Sequence, residues 1–477
     1  MKKVLLIPAL LLTFVLYGQS QEGLILGPDA KVTISGAKVK AGFLKMESGA
    51  SLLGNSDLTV TGTSVIKRDI TGSSNLTEFK YHLVSVPLQA STNPTSNLFL
   101  DSYLYDFNVA GNTWNPLGIS TTTPLDVTKG YMVYYPGASK TYEFTGPLNY
   151  GSFSTTVIYA GSGYNLVPNP YPSAIDWDEA SGWTKTNVTN AIWVWPSGGS
   201  NYASYINGVG TNGGTQFIPS CQGFFVQATG SSPVLTMTDA VRLHSTQPFW
   251  KDVNSISSLL RIKVDANSYS DEVAVRFEEG ATTNFDPNYD ASKMFGLTEA
   301  PQLYTMSQEE KQLSINSLPV TTLNTEVKLE FELGVNTDAV FTITGTESFN
   351  SGTTIFLDDL LKGTTTNIKQ QNTYTFQHNT VNNPYRFKLR FNGVTGIDET
   401  PVEAQRMWIS DDRLYINAAQ LTGKTANIEI FNMIGQELFS QSVTLKELTI
   451  IKPGIKGIVI VRLTTDAKVM TLKGYFN

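Results

Sequence analysis

Cysteine is almost absent from this 477-residue chain, because Cys221 is the only one. A single thiol cannot form a disulfide within the chain, so stability must come from hydrophobic cores and sheet pairing. We interpret Cys221 as a small buried apolar residue beside a strand, although a lone thiol could also act as a nucleophile or an intermolecular link. Histidine is nearly as scarce, and His82, His244 and His378 are isolated in sequence. None has a partner at metal-ligand spacing, so we expect no zinc site and no cofactor.

Charged residues are also few, at 16% of the chain against about 25% in an average soluble protein. Basic residues number 34 and acidic residues 41, which gives a net charge of −7. We find no basic run or stripe, so we do not expect nucleic acid as a partner. Threonine, serine, asparagine and glycine take the place of the missing charged residues in the composition. This composition favours an all-β fold of short strands with polar outer faces and tight turns.

The chain has one long apolar run, at its amino terminus. Lys2 and Lys3 precede the apolar segment 4–16, and Gly18-Gln19-Ser20 offers small residues for cleavage. The 13 residues of this segment are fewer than the ~18–20 needed to span a bilayer. We therefore predict that residues 1–20 are a signal peptide, and that no transmembrane segment remains after its removal. Loss of Lys2 and Lys3 changes the balance to 32 basic against 41 acidic residues, a net charge of −9.

Patterning divides the exported part into several β-rich regions. Residues 21–74 consist of short apolar pieces between glycine turns, which predicts about three coils of a short β-solenoid that docks on the neighbouring region of the chain. Residues 75–250 contain an internal repeat, from which we predict two related β-units packed together. Residues 251–393 show the period-two alternation of a β-sandwich, with a hairpin around Asn267. The repeated segments are 81–84 and 164–167, then 129–133 and 222–226, with aromatic pieces at 103–107 and 192–195 between them.

The last seventy or so residues read as a small β-sandwich after a linker at 394–405. Residues 405–477 resemble the carboxyl-terminal sorting domain of proteins exported by the type IX secretion system of Bacteroidetes-type bacteria. The sequence departs from the family at Val459, where tyrosine is usual, and after the final basic position. The residues that carry the resemblance are Gly435 after a strand, the Pro453-Gly454 turn, Gly457 and Arg462 in one strand, and Lys473 in the closing strand.

The resemblance implies an Ig-like sandwich at 406–477 and the type IX secretion machinery as a partner. It further implies that the folded protein crosses the outer membrane and that the tail is usually removed, with the cargo released or attached to the cell surface. We place that cut in the linker 394–405. The expected localisation is therefore secreted, extracellular or anchored to the outer-membrane surface.

Four tryptophans are the strongest hint of a ligand site, because they lie within nineteen residues beside the Gly/Asn-rich segment 197–214. Exposed rings stack on sugars, so they could form a glycan platform; alternatively, they fill a core. Asp176 and Asp178 could pair as acid and base in glycoside hydrolysis, or belong to a solvated turn. The candidate ligand-binding residues are Trp177, Trp183, Trp193, Trp195, Asp176 and Asp178.

Acidic loops raise the question of calcium, since two of them supply oxygen ligands: Asp265 and Asn267 with Asp271-Glu272, and Asp286-Pro287-Asn288 with Asp290. Such residues are also common in turns, and neither loop has a complete calcium signature. No catalytic or metal-binding residue is expected. The sequence thus predicts a non-catalytic surface or secreted protein that serves adhesion or binds glycan, matrix or a surface protein. The alternatives are a secreted carbohydrate-active hydrolase and a purely structural surface scaffold.

Overall fold

The computed structural model is all-β, as the sequence predicts, and divides into two compact units, Met1–Gly393 and Val394–Asn477. Within the described residues no helix is long and apolar enough to cross a membrane. The predicted signal peptide, apart from one strand, and the predicted linker lie outside the described residues. The structure describes residues 5–7, 22–75, 78, 80–245, 256–320, 324–392, 406–410, 412–417, 422–432, 435–446, 448–466 and 469–476. Short 3₁₀ turns lie at Asn55–Asp57, Ala90–Thr92, Ser96–Phe99, Asp239–Val241 and Thr346–Ser348.

The amino-terminal segment is a parallel β-solenoid. Leu24 pairs with Leu44, which pairs with Ser64, so each coil takes 20 residues. Two residues further along, Leu26 and Met46 stack in the interior and are both fully buried. This confirms the predicted solenoid. Its strands are Leu5–Ile7, Leu24–Leu26, Lys31–Thr33, Val39–Ala41, Leu44–Met46, Ser51–Leu53, Leu58–Val60 and Ser64–Thr71.

The solenoid docks on the rest of the first unit through backbone bonds and a shared core. Strand Ser64–Thr71 pairs antiparallel with Ser139–Thr145. On the middle coil, the Leu52 amide donates to Pro172 O at 2.9 Å, and the Arg242 guanidinium donates to Leu52 O at 2.7 Å. Solenoid leucines and the first β-unit belong to one hydrophobic cluster. A stack of so few coils is stabilised by a neighbour that covers it, as the sequence predicts.

The internal repeat forms two antiparallel sheets, of four and five strands, which share the same order and register over four strands. In the first copy Tyr131 lies opposite Val84, and in the second Phe224 lies opposite Val167. The aromatic segments supply the third strand of each sheet, next to the repeated pair. The first sheet contains Tyr81–Val84, Tyr103–Asn108, Thr113–Leu117 and Tyr131–Tyr134; the second contains Tyr164–Pro168, Ile192–Val194, Ala203–Ile206 and Gly223–Gln227, extended by Val209–Thr211. Small sheets complete the region with Phe153–Ser154, Ala174–Asp176, Trp183–Thr186, Phe217–Ile218, Val234–Met237 and Arg242–Leu243.

The two copies meet at equivalent glycines. The amide of Gly130 donates to Leu166 O at 2.9 Å. A Cβ on Gly130 would lie 3.2 Å from Val167 O, and a Cβ on Gly223 would lie 2.9 Å from Val84 O. Val84 and Val167 occupy the same position in their copies, so the contact is reciprocal. A Cβ at either position would force a neighbour to shift, because it would lie under 3 Å from Leu166 Cγ or from Val84 O.

We expect Gly130→Ala to lower the free energy of unfolding by about 1–3 kcal/mol, because the new Cβ would lie only 2.7 Å from Leu166 Cγ. Urea unfolding followed by tryptophan fluorescence measures this effect. Gly118→Ala is the matched control, because a Cβ there meets no atom within 4 Å. Equal stability of the two variants would contradict the close approach of the two copies.

Residues 256–392 form one eleven-stranded sheet that curls around a single core. The predicted hairpin is present and turns through Asn267 and Ser268, which both have positive φ. The hydroxyls of Thr364 and Tyr374 lie 3.3 Å apart and bring the two edge strands close together. The expected sandwich is therefore one sheet folded over on itself. Its strands are Leu259–Ala266, Tyr269–Glu278, Ala291–Ser292, Gln302–Met306, Gln312–Pro319, Asn324–Glu332, Thr337–Thr344, Thr354–Asp359, Thr364–Asn367, Thr373–His378 and Phe387–Asn392.

The second unit is a small two-sheet sandwich with its own core. Alternating side chains of the central strands point inward, and Ile428, Ile430 and Val461 are fully buried. This confirms the predicted small sandwich at the carboxyl terminus. One sheet contains Arg406–Ser410, Arg413–Asn417 and Leu448–Ile451; the other contains Thr425–Phe431, Glu437–Thr444, Gly457–Thr464 and Val469–Phe476.

Candidate functional site

The second β-unit separates the candidate tryptophans between two cores. Trp193 points to one face of its sheet and Trp177 packs against the other. Each ring is 1% exposed. The Trp193 indole N–H donates to Ser292 O at 2.9 Å, and that of Trp177 donates to Asn190 O at 2.6 Å. Neither ring can stack on a sugar from solvent, so a platform of all four rings is wrong and these two fill cores.

Trp183 and Trp195 are half-buried and lie at the margins of the same two cores. The Trp183 ring packs edge-on against Trp177 at a centroid distance of 4.8 Å. Trp195 packs edge-on against Tyr202 at 4.9 Å. The Trp195 Nε1 atom is buried without a hydrogen-bond partner among the described residues. Each of these two rings therefore packs against another aromatic ring and keeps part of its surface exposed.

Asp176 and Asp178 accept bonds from groups around their own turn. Asp176 accepts from the Asp178 amide at 2.9 Å and from the Gln216 side chain at 3.1 Å. The Tyr205 hydroxyl donates to Asp178. Burial raises the pKa of Asp178, and the bond from Tyr205 partly offsets that rise. These partners hold a surface turn in place, which is the structural alternative to an acid–base pair.

A lysine beside this turn completes the cluster. The Lys185 ammonium lies 3.6 Å from the centroid of the Trp177 ring and donates to Trp177 O at 3.0 Å. Burial lowers the pKa of Lys185 to about 8, against the attraction of the nearby carboxylates of Asp178 and Asp176. A cation stacked on an indole is stabilised by the ring quadrupole. The lysine therefore secures Trp177 in its core position, and sequence spacing gave no sign of this contact.

The candidate calcium loop is a turn held by backbone bonds. Asp286 accepts from the Asn288 amide at 2.9 Å. Asp290 accepts from the amides of Ser317 and Asp286, both at 2.7 Å. Among the described residues no group of three or more His, Cys, Asp or Glu side chains could hold a metal ion. The oxygens of this loop stabilise the turn against the curled sheet.

Asp290 gives this turn a pH dependence. Burial raises its pKa from 3.8 to about 7, although the two amides favour the ionised form. The folded state therefore binds a proton that the unfolded state has already lost above pH 4, so this group makes stability fall as pH rises from about 4 to 7. We expect Asp290→Asn to flatten that part of the profile of urea midpoint against pH. An unchanged slope in the variant would show that Asp290 ionises normally.

A polar groove of about 500 Å³ lies where the Gly/Asn-rich segment 197–214 meets the hairpin 259–278. Exposed Lys263 and half-exposed Glu272 and Tyr269 contribute to its walls. Glu272 accepts from the Asn212 amide at 3.0 Å. An ammonium, a carboxylate, amides and one phenol ring are the groups that hydrogen-bond and stack on small polar ligands. Sequence reasoning missed this site because its two walls are fifty residues apart.

A fully buried ion pair fixes the segment that forms one wall. Lys293 Nζ lies 2.5 Å from Asp271 Oδ2, and both side chains are at most 1% exposed. The other carboxylate oxygen of Asp271 accepts from the Asn212 side chain at 2.8 Å. The Leu303 amide also donates to Asp271 at 2.6 Å. The wall is therefore held to the curled sheet by a carboxylate whose hydrogen bonds come from three segments.

The motif residues of the tail lie in turns and on one exposed sheet face. Gly435, Gly454 and Gly457 have φ of 83°, 71° and 103°, which favours glycine, and Pro453 precedes the second of them. Arg462 forms a 2.8 Å ion pair with Glu429 and lies over the Phe431 ring. Lys473 is exposed opposite Ile460, on the face that also presents Ile458 and Tyr475. Val459, the departure from the sorting-domain pattern, is fully buried.

Comparison with known protein families assigns most of the chain. Residues 19–391 match the family described as a domain of unknown function, DUF8693. The chain belongs to this family. The DUF8693 region covers 373 of the 477 residues (19 to 391) and ends two residues before the boundary between the two compact units at Gly393. No match is found among curated proteins. The groove lies inside the DUF8693 region, whereas the sandwich tail lies beyond it.

Proposed function

We propose that this protein is exported to the cell surface or medium by its carboxyl-terminal sandwich, and that its DUF8693 region is a non-catalytic contact module. In this proposal the tail is a type IX sorting domain and the secretion machinery is its partner. The DUF8693 region serves adhesion by binding glycan, matrix or another surface protein.

The separateness of the tail carries this proposal. It has its own core, forms its own compact unit and follows the end of the family match. A sorting domain that is cleaved from the exported protein is expected to fold independently of it. The motif side chains Arg462 and Lys473 lie on the exposed face of the tail, where a partner can reach them.

Fractionation of the native host tests the tail. The full-length chain is expected at the surface or in the medium, and a chain truncated after Thr400 is expected to remain in the periplasm. Lys473→Ala should reduce export, whereas Lys424→Ala, which removes another exposed lysine of the tail outside the motif, should not. Equal export of the full-length and truncated chains would show that the tail is not a sorting domain.

The groove at segment 197–214 is the contact surface we assign within the DUF8693 region. Tyr269 supplies a ring for stacking, and Lys263 and Glu272 supply hydrogen bonds to hydroxyl groups. On a glycan array, the protein should lose signal when Tyr269 is changed to Ala. Tyr159→Ala is the control, since this tyrosine is 55% exposed and does not line the groove. Retained binding by Tyr269→Ala would exclude the groove as the glycan site.

A further inference from the structure

Strand Glu437–Thr444 of the tail is a long edge strand that is regular after one bulge at Leu438, near its start. It stands at the end of its four-stranded sheet, and among the described strands only Thr425–Phe431 pairs with it. No residue from 438 to 445 is charged, and none is proline. Six of the eight strand residues are exposed, and Phe439 and Val443 are half-buried. Such an edge is a template for pairing with another strand.

Several other sheet edges among the described residues carry a protective device, although the short edge strand Leu448–Ile451 has neither a charge nor a proline. The opposite edge of the same sheet has Lys473 near its centre, and a Cβ on its Gly474 would touch Ile409 of the other sheet. The edge strand Thr113–Leu117 contains Pro116. The two edges of the curled sheet approach each other at Thr364 and Tyr374. Charge, proline, bulges and coverage are the means by which natural sheets avoid edge-to-edge pairing, and from Phe439 to Thr444 this edge has neither charge, proline nor bulge.

The sequence of this edge is complementary to itself in the antiparallel direction. When two copies are centred on Gln441, Phe439 of each lies opposite Val443 of the other, and Ser440 lies opposite Ser442. The half-buried apolar pair would continue the inner face, and the serines would continue the outer face. No like charges meet, which is the condition for favourable cross-strand pairs.

Charges at both ends of the pairing favour the same arrangement. In the register centred on Gln441, Leu445 of one copy lies beside the bulge formed by Glu437 and Leu438 of the other. Lys446 is the next residue and is exposed, as is Glu437. Each end therefore brings a carboxylate of one copy beside an ammonium of the other. The two-fold axis places one such contact at each end of the paired strands.

We infer that the tail pairs with a second copy of this chain, edge to edge along Glu437–Thr444, and so builds one continuous eight-stranded sheet across a two-fold axis. The occupant of the edge is the same strand of another molecule, in antiparallel orientation and centred on Gln441. This inference is independent of whether the tail directs export.

Sedimentation of the full chain over a range of concentrations tests the pairing. The parent protein should be a dimer, and Gln441→Lys should weaken dimerisation by at least about tenfold, because two ammonium groups would lie directly opposite each other. Asn427→Lys is the control, since it adds the same charge at an exposed position of the neighbouring inner strand. A monomeric parent protein would overturn the inference, as would a Gln441→Lys variant that dimerises like the parent.

Disulfide trapping tests the register without relying on loss of a signal. Opposed residues of an antiparallel pair have Cα atoms about 4.5–5.5 Å apart, within disulfide reach. Gln441→Cys should therefore give a covalent dimer on mild oxidation. Ser442→Cys should not, because diagonal neighbours are about 7–8 Å apart. Native Cys221 is buried and its pKa is raised by burial to about 11, so it stays unreactive. Trapping at 442 and not at 441, or at neither position, would overturn the proposed register.

Discussion

Asp359→Ala is expected to lower the free energy of unfolding of the first unit by about 3–5 kcal/mol, because it leaves the buried Arg386 without its counter-ion. The two side chains are at most 3% exposed. Arg386 donates to both carboxylate oxygens of Asp359, at 3.0 and 2.7 Å. Tyr374 of the opposite edge strand also donates to Asp359, at 2.9 Å. Loss of the carboxylate therefore opens the place where the curled sheet closes on itself.

Tryptophan fluorescence in urea measures this effect, because five tryptophans lie among the described residues of the first unit. Lys388→Met is the matched control, since it breaks an exposed pair with Glu326 on the same sheet. That change should cost less than about 1 kcal/mol. Similar losses for the two variants would show that the buried pair does not hold the sheet closed.

The Asp359–Arg386 pair also predicts how the stability of the first unit changes at acid pH. Burial alone would raise the pKa of Asp359, but the bonds from Arg386, the Lys362 amide and Tyr374 outweigh it and hold the pKa below its usual range. The stabilisation is therefore complete above the ordinary pKa of an aspartate and is lost as pH falls through the lowered value. Asp359→Ala should remove that part of the acid transition.

Lys293→Met is expected to cost a similar amount, about 3–5 kcal/mol, because Asp271 would remain as a buried charge without its cation. The two side chains are at most 1% exposed. The same variant should release segment 197–214, since Asp271 also accepts from Asn212 in the groove wall. Hydrogen exchange of the amides in that segment should therefore speed up along with the loss of stability.

A double-mutant cycle separates the pair from its surroundings. Asp271→Asn with Lys293→Met removes both charges, while the asparagine can still accept a hydrogen bond from the Leu303 amide. The double variant should recover most of the stability lost in Lys293→Met, because a neutral pair leaves no uncompensated charge. If the double variant instead lost as much stability as the two single variants added together, Asp271 and Lys293 would act independently.

The solenoid coils and the two repeated sheets were predictable from sequence, because each is encoded by a short pattern that recurs along the chain. The twenty-residue coils recur as glycine-bounded apolar pieces, and the equivalence of Val84 with Val167 follows from matching segments. The fate of the tryptophans was not predictable in the same way. Alternation places Trp193 and Trp195 on one face of a strand, but the group that covers Trp193 includes the carbonyl of Ser292, ninety-nine residues away. The groove escaped prediction for the same reason, since it exists only where distant segments meet.

The reciprocal contact of Gly130 and Gly223 has the geometry of an isologous interface between two identical subunits. Its simplest origin is the fusion of a symmetric dimer into one polypeptide after duplication of a single sheet. Fusion frees the halves to change separately, which identical subunits cannot do. Only the second half contains segment 197–214 and a wall of the groove, so the symmetric joint carries one asymmetric surface.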